Sequence, residues 1–126
     1  MIKSYIKGAR AERELIDYFD QHGFCVIRAA GSGGNSLSPD ILIFKKGMQY
    51  AIEAKAWEKE NLNLNKDQFS NMQRWEEVSG ITSLIAWKRN RKPWVFLGLG
   101  LFDENEKSFA ISWEKAEMIG KKLEEF

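Results

Sequence analysis

The stretch PDILIFKKGMQYAIEAK, residues 39–55, decides the fold. Its apolar runs DILIF and MQYAIEA read as two strands joined at Lys46-Gly47, where glycine supplies the positive φ that a two-residue turn needs. With that turn Lys45 faces Met48, and Asp40 falls directly across from Glu53. Opposed Cβ atoms lie about 4.5–5.5 Å apart. Two carboxylates so close repel in a dry setting unless a divalent cation lies between them. Strand alternation puts Glu53 and Lys55 on one face, Ile52 and Ala54 on the other. A bulged turn would shift the register by one, and the alternative reading of the three charges is a surface salt-bridge cluster in which Lys55 neutralises the two carboxylates.

Outward from this hairpin, residues 9–21 have helical periodicity, with Ala11, Leu15, Ile16, Tyr18 and Phe19 on one broad face and Gly23 as the stop. Glu12 lies 3, 4 and 7 residues before Leu15, Ile16 and Phe19, at the edge of that apolar stripe, while Glu14 and Asp17 point away. A carboxylate turned toward a core needs a partner, and a cation held by Asp40 and Glu53 would serve. FCVIRAA (24–30) reads as the first strand, and AGSGGNSLS (30–38) as a Gly/Ser loop. After the hairpin, KENLN reads as a loop leading to Asn65-x-x-Gln68, which resembles a capping box and opens a helix to about Val78, with Gly80 as its stop. TSLIAWK and WVFLGLG form a second hairpin, FAIS adds a short edge strand, and 113–124 is a final helix. This order predicts an α/β fold, one domain over 1–126 with a central mixed β-sheet flanked by α-helices.

Composition narrows the function classes. A chain of 126 residues, 44% hydrophobic and 29% charged, fits one soluble core. No apolar run approaches the ~18 residues of a membrane span. Cys25 is the single cysteine and His22 the single histidine, so an internal disulfide and a zinc site of the usual ligand count are both excluded, and the cytoplasm is the expected compartment. The plentiful hard ligands are carboxylates, which point to magnesium or manganese. A net charge of +1 announces no nucleic-acid partner, but basic residues gather at Lys3, Lys7, Arg10 and Arg13 and again in KRNRK at 88–92. The second run reads first as a solvated loop tip.

Pro39-Asp40 followed by Glu53-Ala54-Lys55 resembles the PD-(D/E)xK nuclease signature. KGARAERE at 7–14, RAAGS at 28–32 and the hairpin together resemble the archaeal Holliday junction resolvases. That resemblance implies a restriction-endonuclease-like core and a structure-selective endonuclease cutting four-way DNA junctions. A nuclease acting on duplex or flap DNA, and a non-catalytic DNA-binding domain of the same fold, are the alternatives. Glu12, Asp40, Glu53 and the carbonyl of Ala54 become ligands for Mg²⁺, with Mn²⁺ as substitute. Lys55 becomes the group that orients or deprotonates the attacking water, or stabilises transition-state charge. Ser32 becomes a loop serine on substrate phosphate, and Lys7, Gly8, Arg10, Arg13 and Arg28 a basic track along DNA.

The resemblance also implies a homodimer, since one chain holds one such set and paired cuts need two. Trp75, Leu99, Leu101 and Phe102 are the expected apolar material of the interface, whereas Phe69 and Met72 read as core.

Overall fold

The computed structural model describes residues 2–29 and 38–126, with side chains from residue 8 onward. A helix, α1 (Ile2–Gln21), begins well before the expected residue 9 and stops at Gly23, whose φ of 86° lets the Phe24 N–H return to the Phe19 carbonyl at 3.0 Å. Then come β1 (Cys25–Arg28), β2 (Ile41–Lys45) and β3 (Met48–Ala56), with Gly47 at φ 78° in the turn. Next in the chain are β4 (Asn61–Asn65), α2 (Lys66–Ser79), β5 (Thr82–Lys88) and β6 (Val95–Gly98). The chain closes with β7 (Asp103–Glu104), β8 (Ser108–Ser112) and α3 (Trp113–Ile119). The main sheet runs β1-β2-β3-β5-β6 and is mixed, because β3 and β5 pair in parallel across the α2 crossover while the other pairs are antiparallel.

Each face of this sheet has its own core. Ile41, Ile43, Ile52, Leu84, Ala86 and Phe96 pack with Leu15 and Phe19 of α1. Ile85, Trp87, Val95 and Leu97 pack on the opposite side with Phe69 and Met72 of α2 and with Trp113 and Ala116 of α3. Burying each large apolar side chain contributes roughly 1.5–3 kcal/mol relative to exposure, so the two layers fix the sheet from both sides.

Four expectations need correction. KENLN is not all loop: Asn61–Asn65 form β4, with Leu62 and Leu64 buried and the three asparagines exposed. FAIS does not extend the main sheet; it belongs to β8, the middle strand of a second sheet ordered β4-β8-β7. The last helix stops at Ile119 because Lys121 turns away to bridge Phe96, its N–H and carbonyl both engaged at 2.9 and 2.8 Å. The cap of α2 is half of the expected box: the Asn65 side chain accepts from the Gln68 N–H at 2.7 Å, and Gly80 at φ 77° closes the helix.

Gly120 is the tight point of this closure. A Cβ there would lie 2.6 Å from the Ala116 carbonyl oxygen, 3.1 Å from Val95 Cβ and 3.2 Å from Leu97 Cδ2. Gly120→Ala is therefore expected to destabilise the fold by about 1–3 kcal/mol in urea unfolding. An unchanged midpoint would mean that the C-terminal segment is not docked as described.

Candidate active site

The first hairpin has the expected register, Lys45 opposite Met48 through Ile41 opposite Ile52. There β2 begins, while β3 runs on to Ala56 paired only with β5. The strands part at this point, and the Asp40 side chain takes the place of the missing ladder partner. Its Oδ2 accepts the Ala54 N–H at 3.0 Å, and its main-chain carbonyl accepts the Ala29 N–H at 2.9 Å. Asp40 is thus tied to β3 on one side and to the end of β1 on the other.

Alternation along β3 sends Ile52 and Ala54 toward α1 and leaves Glu53 and Lys55 on the other face, as expected. One register step beyond the last ladder pair, Asp40 and Glu53 come close enough for each carboxyl to act on the ionisation of the other. Burial is the main cause that raises both above the ordinary carboxylate range. The charge of Asp40 adds to the rise at Glu53, that of Glu12 adds at both, and Lys55 opposes it at both. Glu53 is carried from 4.5 to about 7. Two half-buried carboxyls raised by burial and by each other's charge are hard-oxygen donors short of positive charge, and such a donor set fits a magnesium-class ion.

Glu12 stands apart from this pair. Its Oε1 accepts from Arg28 Nε at 2.7 Å, joining α1 to the end of β1. Among the described residues no three His, Cys, Asp or Glu side chains stand close enough to hold a metal ion together. Arg10 and Arg13 are exposed on α1. Gly8 lies on the same helix, and a Cβ there would meet nothing within 4 Å. Ser32 and the side chain of Lys7 lie outside the described residues. Glu14, expected to point away, accepts the indole N–H of buried Trp94 at 2.8 Å and pins α1 to the second hairpin. The basic tip at 88–92 is clamped to the turn after β3. Arg89 donates to the Glu58 carbonyl at 2.9 Å and the Asn90 N–H meets the Glu58 carboxylate at 3.1 Å, in keeping with a structural loop tip.

Sequence reading did not foresee the Glu12–Arg28 pair, which closes across 16 residues, or the part of the Ala29 N–H. The extended β3 edge was the available signal for Ala54, since a strand that outruns its partner leaves backbone donors to be satisfied.

The raised carboxyl has a consequence for stability. Folding favours protonated Glu53, so its contribution is full below about pH 4.5 and is lost as pH rises through about 7. In chelator, the protein should lose on the order of 2–3 kcal/mol between pH 5 and pH 8.5 from this group, read from urea midpoints. Glu53→Gln should flatten most of that slope, and an equally steep slope in the variant would contradict the burial of the pair.

Comparison with known proteins identifies the family and the fold. The family model described as archaeal Holliday junction resolvase (Hjc) matches residues 3–126. The crossover junction endodeoxyribonuclease Hjc of Archaeoglobus fulgidus is 32% identical over 94% of this chain and 93% of its own length. The protein of that name from Methanocaldococcus jannaschii is 32% identical over 88% of this chain and 80% of its own. The 1.6 Å structure of A. fulgidus Hjc, a Holliday junction resolvase from an archaeal hyperthermophile, superposes with a TM-score of 0.83 at 28% identity, covering 94% of this chain and 93% of that one. The fold is therefore the restriction-endonuclease-like one, and the chain belongs to the archaeal Holliday junction resolvase family.

Proposed function

We propose that this chain, acting as one nuclease domain over 1–126, is a metal-dependent endodeoxyribonuclease that resolves four-way DNA junctions by paired symmetrical cuts. The observation that carries the reading is the meeting of Asp40 and Glu53 at the point where β2 and β3 part, with Lys55 beside them. Asp40, Glu53 and the Ala54 carbonyl, joined by Glu12, would hold Mg²⁺ or Mn²⁺. An ion of this class supplies positive charge at the scissile phosphate and acidifies water. Lys55 orients or deprotonates the attacking water, or holds charge that develops on the phosphate. Arg10, Arg13 and Arg28, with Lys7, Gly8 and Ser32, run along the backbone of the DNA. The cytoplasm is the proposed compartment, where the exposed thiol of Cys25 stays reduced; no described helix is long and apolar enough to cross a membrane.

The dimer reading stands on a revised surface. Leu99 and Phe102 are buried in the core of one chain and so unavailable to a partner, while half-buried Leu101 packs against that core. An open part of the main sheet replaces them, on the face away from α1. There Ile27, 54% exposed, lies opposite Leu42, and half-buried Phe44 lies two pairs further along β2, on the same face. Trp75 is half-buried and lies outside both cores. A C2 pair burying this face would give two cutting centres on one two-fold axis.

With labelled four-way junction, duplex and flap in magnesium, the junction should be cut in preference to the other two. Asp40→Asn or Glu53→Gln should lower cleavage by about 10²–10³-fold or more, the scale of a lost electrostatic group, with junction binding kept or strengthened as carboxylate–phosphate repulsion falls. Near wild-type cutting by either variant, or equal cutting of duplex, would sink the proposal.

Sedimentation at micromolar concentration should find a dimer without DNA. Excess Glu53→Gln subunits exchanged into wild type should convert linear product to open circles on a cruciform plasmid. A monomer, or undiminished linear product, would remove the dimer from the mechanism.

A further inference from the structure

We propose that Arg28 is a positioning residue that stands in for the cation at Glu12, holding that carboxylate until metal loads and then turning to substrate phosphate; this rests on the reading of Glu12 as a metal ligand. The two side chains of the pair differ sharply in exposure. Glu12 is 19% exposed and Arg28 63% exposed, at a separation of 2.7 Å. An ion pair with so exposed a partner adds little to stability, so fold maintenance alone is a weak reason for it. Its position is more telling. Arg28 lies opposite Ile41 in the β1–β2 ladder, and the next residue, Ala29, is bonded to the carbonyl of Asp40. The pair therefore borders the acidic site, and the charge of Glu12 is felt at both Asp40 and Glu53.

Three carboxyls face this region, with Lys55 acting on two of them and Arg28 holding the third. Glu12 cannot give its full charge to an ion while Arg28 Nε is on it, and a cation entering the site is repelled by the guanidinium. Loading must therefore loosen the pair. The exposed guanidinium, a planar fork suited to phosphate, is then presented to the DNA. One arginine would thus couple metal binding to substrate binding.

Calorimetric titration of Mn²⁺ into DNA-free protein tests this without any cleavage. Arg28→Gln should bind Mn²⁺ about three- to tenfold more tightly than wild type, the scale of one removed surface charge pair, and Glu12→Gln more weakly. In the double variant, Arg28→Gln should bring no gain over Glu12→Gln alone. Arg28→Lys, which keeps the charge without the Nε geometry, should fall between wild type and Arg28→Gln. Unchanged or weaker Mn²⁺ binding in both Arg28 variants, with Glu12→Gln still impaired, overturns the stand-in role and leaves the metal site intact. If Glu12→Gln binds as wild type, Glu12 is no ligand and the proposal falls with it. Undiminished binding in Asp40→Asn instead overturns the metal site itself.

Discussion

Everything at the site follows from one electrostatic constraint: two carboxyls brought together where a hairpin opens. The tight turn at Gly47 fixes the β2–β3 register, and the register delivers Asp40 to Glu53. The Ala54 N–H then locks Asp40 in place. Burial and like charge make the pair costly when both are ionised, which raises both carboxyls above their ordinary range. The rest of the fold keeps this arrangement from relaxing. Leu15 and Phe19 press on one face of the sheet, and Trp87 with Phe69 and Met72 fills the other. Neither strand can twist away without opening a core.

The cost is local and the benefit is chemical. A protein selected only for stability would place an apolar pair at Asp40 and Glu53, since buried like charges destabilise. Retaining them concentrates negative oxygen where few other groups compete for a cation. Arg28 and Lys55 moderate that field from opposite ends, one through Glu12 and one through the pair itself. The basic tip at 88–92, by contrast, is tied to the Glu58 carbonyl and carboxylate through Arg89 and the Asn90 N–H, and Arg89 also pairs with Glu60, in keeping with a structural role.

Much of this was legible in the sequence because it is local. A two-residue turn with glycine has few geometries, so the hairpin, its faces and the Asp40–Glu53 meeting could be read from 17 consecutive residues. The α2 cap and its glycine stop were legible for the same reason. What could not be read depends on long-range partners. The asparagines of NLNLN have low strand propensity, and β4 is a strand only because β8 pairs with it from Ser108 to Ser112. Leu99 and Phe102 looked available for a partner subunit because their true neighbours, such as Phe69, come from α2. Arg28 on Glu12 joins a strand to a helix across a turn, and no periodicity announces such a pair.

The central claim is that Asp40 and Glu53 meet in order to bind a cation. Crystals soaked in manganese and measured near its absorption edge test it most directly. An anomalous peak within ligand distance of both carboxylates and the Ala54 carbonyl is the expected result, with Glu12 turned from Arg28 toward it. Saturating manganese with no peak between Asp40 and Glu53 would contradict it.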